Sequence, residues 1–256
     1  MELSELIQAL LRWIHIVAGI TWIGLLYFFN WVNGPFQATI DGGTKKVVVP
    51  ELMPRALYWF RWGAAWTWIT GVLLLLLVFY MQRNVTPGQE PPGLGAWLML
   101  LVTFLAFGVY EPMAKAIKDN KQMAIAGFVL TAVAILLFIY VGGYGYRGYT
   151  IHVGAMFGTI MAANVWMRIW PSQQKIITAV KNGEAPDAAL VALAGTRSRH
   201  NTYMSVPLVW TMVNQHTLAS APPGEFGGAI FLLAAIALGW LVTMQLYKKA
   251  GTVKGF

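Results

Sequence analysis

Residues 13–29 read WIHIVAGITWIGLLYFF, an apolar stretch with one ionisable side chain, His15, inside it. With its flanks the stretch is long enough to cross a bilayer, for which about 20 apolar residues suffice. Hydrocarbon offers no hydrogen bonds, so such a run satisfies its backbone only as a helix. Six more runs of comparable length follow. The expected fold is therefore an all-α integral membrane protein, a bundle of seven transmembrane helices. The spans fall at about residues 6–32, 58–81, 96–114, 123–141, 149–170, 200–219 and 226–247. Composition agrees, with 57% hydrophobic and 11% charged residues, against about 25% charged in an ordinary soluble domain. No internal repeat and no polar stretch long enough for a second domain interrupts the pattern, so residues 1–256 read as a single membrane domain.

Helix breakers set the expected ends. Asn33-Gly34-Pro35 is expected to stop the first span and Pro54 to precede the second. Glu111-Pro112, or one turn later, ends the third; Gly142-Gly143 stops the fourth, and Pro171 closes the fifth. Pro207 lies inside the sixth, and a separate surface helix is expected at residues 188–194 in the polar connection before it. Glu2 and Glu5 stand where a signal peptide would carry basic residues, so the N-terminus does not read as one.

The net charge of +8 and pI near 9.7 come from residues in short loops rather than on one amphipathic face, which argues against a nucleic-acid partner. Lys45, Lys46 and Arg55, then Lys115, Lys118 and Lys121, then Lys175, Lys181, Arg197 and Arg199, then Lys248, Lys249 and Lys254 occupy alternate connections and the tail. The intervening loops hold only Arg83 and Arg147. Lys and Arg collect on the cytoplasmic side. The expectation is thus an N-terminus outside, a C-terminus in the cytoplasm, and a multi-pass protein of a bacterial cytoplasmic membrane.

There is no cysteine. That excludes disulfides, thiolate-ligated clusters, Cys-type zinc sites and c-type haem attached through C-x-x-C-H. A cofactor must be held by His, Met or oxygen. On the expected topology His15, His152 and His216 all fall in the outer half of the membrane, while His200 lies at the cytoplasmic end. Taken singly, His152 and His216 are interfacial positions where a solvated imidazole is ordinary. Their shared level points to a cofactor, since depth differences of about one turn, 5.4 Å, are absorbed by tilt. Two neutral imidazoles on facing helices suit a b-type haem held without covalent attachment. Gly19, one turn from His15, leaves room for a porphyrin edge, and Arg12 and Arg147 are placed to pair with propionates. Gly154 and Gly158 form a small-xxx-small pair that favours close helix packing. The alternative is a zinc or copper ion on His15, His152 and His216.

His200 and His216 lie 16 residues apart, about 24 Å along an ideal helix and on nearly opposite sides of it. One outer haem is therefore expected; a second would need another ligand or a partner chain. The tryptophans and tyrosines read mostly as interfacial belts and core, and the twelve methionines as packing.

Three strings carry a resemblance: residues 15–30, HIVAGITWIGLLYFFN; residues 152–166, HVGAMFGTIMAANVW; and residues 197–207, RSRHNTYMSVP, running on to Asn214-Gln215-His216. Together they resemble the N-terminal membrane domain of the membrane-bound, cytochrome-c-linked urate oxidases (PuuD-type urate hydroxylases), over nearly the whole chain. The resemblance implies urate oxidation at the membrane, with electrons leaving through a c-type cytochrome domain. It marks His15, His152, His200 and His216, supported by Asn164 and Asn201. These 256 residues hold no C-x-x-C-H, so the electron acceptor is expected to be a separate c-type cytochrome. The competing expectation is a non-catalytic subunit of a larger respiratory or membrane-enzyme complex.

Overall fold

The structure, a computed structural model, describes residues 3–214 and 224–254. Among the described residues there is no strand, and helix dominates. In chain order the helices are α1 (Leu3–Tyr27), α2 (Gly34–Thr39), α3 (Gly42–Leu74), α4 (Leu94–Ala116), α5 (Asn120–Tyr140), α6 (Tyr146–Asn164), α7 (Trp170–Asn182), α8 (Ala188–Asn214) and α9 (Glu225–Ala250). Five segments are long and apolar enough to cross a membrane: Leu3–Thr39, Gly42–Met81, Leu94–Ala116, Asn120–Tyr140 and Phe226–Ala250. The chain is an all-helical membrane protein.

The other two expected spans are α6 and α8, helical but more polar than those five. Burial explains the difference. From Tyr149 to Val165 almost every residue of α6 and the turn after it is buried, and the buried side chains of α8 include Arg197, Asn201, Thr202 and Ser205. A helix screened from lipid does not need an apolar circumference.

Pro54, expected to precede the second span, lies inside α3 together with Pro50. Pro112 is inside α4, which ends at Ala116, the later of the two expected ends. After Tyr27 the chain does not stop at Asn33-Gly34-Pro35 but passes through a π-helical turn, Phe28–Asn33, into α2. Likewise a π-helical turn, Val165–Ile169, leads into α7 with Pro171 in its first turn. A proline lacks an N–H and crowds the carbonyl one turn back. At the first turn of a helix that N–H has no intrahelical partner to lose. Residues 188–194 are the opening of α8, not a separate surface helix. Only Gly195 weakens the stretch up to His200, and one glycine does not stop a helix.

Aspartates open three helices. Asp41 Oδ1 accepts from the backbone N–H groups of Gly43 (2.7 Å) and Thr44 (3.1 Å), and its Oδ2 from the Thr44 hydroxyl (2.6 Å). Asp119 accepts from Gln122 N–H at the start of α5, and Asp187 from Ala189 N–H at the start of α8. Each satisfies a donor that the first turn leaves orphaned. The Thr44 hydroxyl, followed by the two N–H groups, holds the Asp41 carboxyl below its ordinary pKa. Its contribution to helix stability is therefore complete above the unfolded carboxylate pKa and lost as pH falls through the lower folded value. Asp41→Ala is expected to speed amide hydrogen exchange over residues 43–45 at neutral pH. Acidification should produce the same change in the wild type and none in the variant.

The chain divides into two compact units. One comprises Met1–Ala9, Gly71–Ile160 and Val206–Gly239; the other comprises Leu10–Thr70, Met161–Ser205 and Trp240–Phe256. In the first, α6 and α8 pack closely: a methyl group on Gly154 would collide with the Thr211 hydroxyl, and one on Gly158 would touch Leu208 at 3.5 Å. The small-residue pair read from the sequence is thus the contact between these helices. In the second, α1 and α3 meet where Gly63 faces the Ala18 carbonyl (3.2 Å) and Trp22. Gly154→Ala is expected to destabilise the protein by about 1–3 kcal/mol through overpacking. A thermal-unfolding midpoint unchanged in detergent would contradict that contact.

Candidate functional site

On α1, His15 is held through one nitrogen. The Thr70 hydroxyl donates to the Trp66 carbonyl at 2.6 Å, so its oxygen accepts from His15 Nδ1 at 3.1 Å. The imidazole is then the Nδ1–H tautomer with a lone pair on Nε2. The Thr67 backbone is a further hydrogen-bond partner of the imidazole. The face of α1 that carries it is closed at Trp22 and Leu26, 2% and 0% exposed, but only half-buried at Leu11, His15 and Gly19. Trp22 Nε1 is buried without a partner among the described residues. Such an orphan costs about 1–3 kcal/mol. Arg12 is exposed, and a Cβ on Gly19 would make ordinary contact with Thr67 at 3.8 Å.

His152, in the other unit, is fully buried. A carbonyl only accepts, so its Nδ1 donates to Gly148 O at 2.7 Å and Nε2 again carries the lone pair. Here Nε2 faces a hydroxyl: Tyr80 Oη lies 3.0 Å away and shares its one proton between Nε2 and the Ala96 carbonyl at 3.1 Å. The Tyr144 hydroxyl, 2.5 Å from Tyr80 and 2.7 Å from the Ala96 carbonyl, completes the chain. The rings of Tyr144, Phe138 and Tyr80 stand 4.3, 5.6 and 5.8 Å from the imidazole. Arg147, half-buried on the same helix, lies 5.9 Å from the Phe79 ring centre, and its Nε is buried with no hydrogen-bond partner among the described residues.

A third group lies in the same unit as His15. Asn164 Nδ2 donates to Asn201 Oδ1 at 2.9 Å, and Asn201 Nδ2 to the Met161 carbonyl at 3.0 Å; both side chains are fully buried. One turn before Asn201 on α8 is Arg197, 2% exposed. Among the described residues it is the one formally charged side chain buried in that unit. Next to it Ser198 accepts from Asn30 Nδ2 at 2.8 Å, and Asn30 Oδ1 accepts from the Tyr247 hydroxyl at 2.8 Å. Arg199 stacks over the Tyr247 ring, 5.2 Å from its centre, and His200 is half-buried.

His15 and His200 therefore belong to one unit and His152 to the other, while His216 lies outside the described residues. The residues missed in the sequence are Tyr80, Tyr144 and Arg197. The two tyrosines pass for belt residues, and Arg197 for part of a basic turn. A usable signal was Arg197 standing one turn from Asn201, which a continuous helix puts on the same face.

An Nδ1–H imidazole keeps Nε2 available to a metal, and among the described residues the buried Nε–H of Arg147 has no hydrogen-bond partner. No group of three His, Asp or Glu able to hold a metal ion occurs among the described residues.

The class is thus a multi-pass helical membrane domain with imidazoles, amides and a guanidinium set into its interior. Residues 1–251 match the family model described as urate oxidase N-terminal, and the chain belongs to that family. No curated protein and no solved structure matches the chain.

Tyr80→Phe leaves His152 Nε2 without its donor and is expected to cost about 1–3 kcal/mol. Tyr144→Phe, which spares the Tyr80–His152 bond, should cost less. Thermal unfolding followed by near-ultraviolet circular dichroism checks the order of the two.

Proposed function

We propose that this chain is the membrane part of a urate-oxidising electron-transfer system that carries one haem b. The observation that supports the haem is His15: an imidazole inside an apolar helix, fixed through Nδ1 by the Thr70 hydroxyl. An ionisable group kept in hydrocarbon is by default functional. His15 would hold the haem through an imidazole nitrogen, with His152 or His216 as the second ligand. Arg12 and Arg147 would hold the propionates, the latter through the Nε–H that has no partner among the described residues. When bound, the haem supplies one-electron redox chemistry; the chain's own residues fix the imidazole tautomers and exclude water from them.

The family supports urate as the compound oxidised. These 256 residues contain no cysteine, so a c-type haem that accepts the electrons lies outside them. The alternation of basic loops supports an N-terminus outside and a C-terminus in the cytoplasm, in a bacterial cytoplasmic membrane.

A reduced-minus-oxidised spectrum with a pyridine haemochrome assay on the purified protein tests the proposal. A b-type signal is expected in the wild type. His15→Ala should abolish it, and His200→Ala should leave it intact. Comparing His152→Ala with His216→Ala identifies the second ligand. Absence of the signal in the wild type, or its survival in His15→Ala, would sink the haem reading.

A further inference from the structure

Arg61 on α3 is the last charged side chain before residues 62–82, which carry no charge. It therefore marks the border between polar surface and hydrocarbon, the level at which lipid headgroups lie. Its guanidinium is already placed, 3.9 Å from the Trp170 ring centre and 5.5 Å from that of Tyr58. Stacking fixes the plane of the fork without spending its N–H groups. Among the described residues no carboxylate pairs with Arg61 and no hydrogen bond engages its side chain. Beyond the helix only its carbonyl is used, by the Trp166 indole N–H at 3.1 Å.

Beside this half-buried cation, in the same unit, α1 and α3 leave a groove of about 630 Å³. Trp13 and Val17 line it from α1, and Tyr58, Trp59, Trp62 and Trp66 from α3. Trp13, Val17, Trp59 and Trp66 are each more than half exposed, so the groove opens towards lipid. Tyr58 joins the two features, since its ring lines the groove and neighbours the guanidinium. From Tyr58 to Trp66 the groove runs about 12 Å along α3, most of the depth of one leaflet, about 15 Å. An apolar channel of that length beginning at a cation matches an acyl chain with an anion at its head. An apolar helix of a second copy would fill the groove but leave the guanidinium without an anion. A zwitterionic lipid brings its own cation to compete for the phosphate. We propose that the groove and Arg61 form a binding site for one anionic phospholipid. Its acyl chain lies along α1 and α3, and its phosphate takes the guanidinium fork.

Native mass spectrometry of the full chain in detergent tests it, with phosphatidylglycerol and phosphatidylcholine of identical acyl chains as probes. The wild type should bind one phosphatidylglycerol about fivefold more tightly than phosphatidylcholine. Arg61→Gln should bring the two lipids to equal affinity by weakening phosphatidylglycerol alone. Arg55→Gln, at an exposed arginine already paired with Glu51, should keep the full preference. Trp59→Ala removes an exposed wall of the groove and leaves the core intact, so it reports even where the arginine variant does not fold. Both lipids should weaken together in it while the preference remains. Equal affinity in the wild type, or a preference that survives Arg61→Gln or is lost equally in Arg55→Gln, would overturn the proposal. So would displacement of the lipid by inorganic phosphate, or binding unchanged in Trp59→Ala. A lipid-free dimer that Trp59→Ala separates would overturn it too, and would assign the groove to a second copy.

Discussion

In hydrocarbon a polar group finds its partner inside the protein or not at all, and this requirement shapes the helices residue by residue. Their threonines turn back on their own backbone: Thr21 on Val17, Thr67 on Gly63, Thr70 on Trp66, Thr103 on Met99, Thr131 on Gly127, Thr159 on Ala155 and Thr202 on Ser198. Each hydroxyl proton is spent one turn back, which leaves the oxygen as an acceptor. At Thr70 that acceptor is what fixes His15. A local rule about satisfying a hydroxyl thus decides which nitrogen of a functional imidazole carries the proton.

The same requirement explains why the two polar helices are the buried ones. Amides and hydroxyls on α6 and α8 find donors and acceptors on neighbouring helices, as Asn164 and Asn201 do with each other. Close packing is the precondition, and the absence of a side chain at Gly154 permits it. The π-helical turns work in the same direction. They let the chain continue past Asn33 and Asn164 into further helix where a proline would otherwise impose a break, so polar residues at those turns stay inside.

Much of this was legible in the sequence. Length and apolarity of the runs identify the helices, because hydrocarbon allows an isolated segment no other structure. Gly154 and Gly158 announce a close contact through spacing alone. Pro35 and Pro171 misled because a proline's cost is local, whereas each follows a π-helical turn that carries the chain into further helix; Pro54 misled by lying inside α3. Tyr80 and Tyr144 were illegible for a different reason. Tyr80 closes the second span and Tyr144 lies in the connection between α5 and α6, 64 positions on, and only the fold shows that their hydroxyls meet beside His152.

His15 and His152 share a protonation pattern but not a predicament. Both hold the proton on Nδ1, and both carry the lone pair on Nε2. At His152 the Tyr80 hydroxyl satisfies that lone pair, and three aromatic rings close around the imidazole. Such a histidine is stable as it stands, and recruiting it to a metal would exchange one good interaction for another. At His15 the helix face is only half covered, and the indole N–H of Trp22 on the same face has no partner among the described residues. Stability alone does not favour an imidazole in that position, since an apolar side chain would avoid its desolvation and release Thr70 from its task.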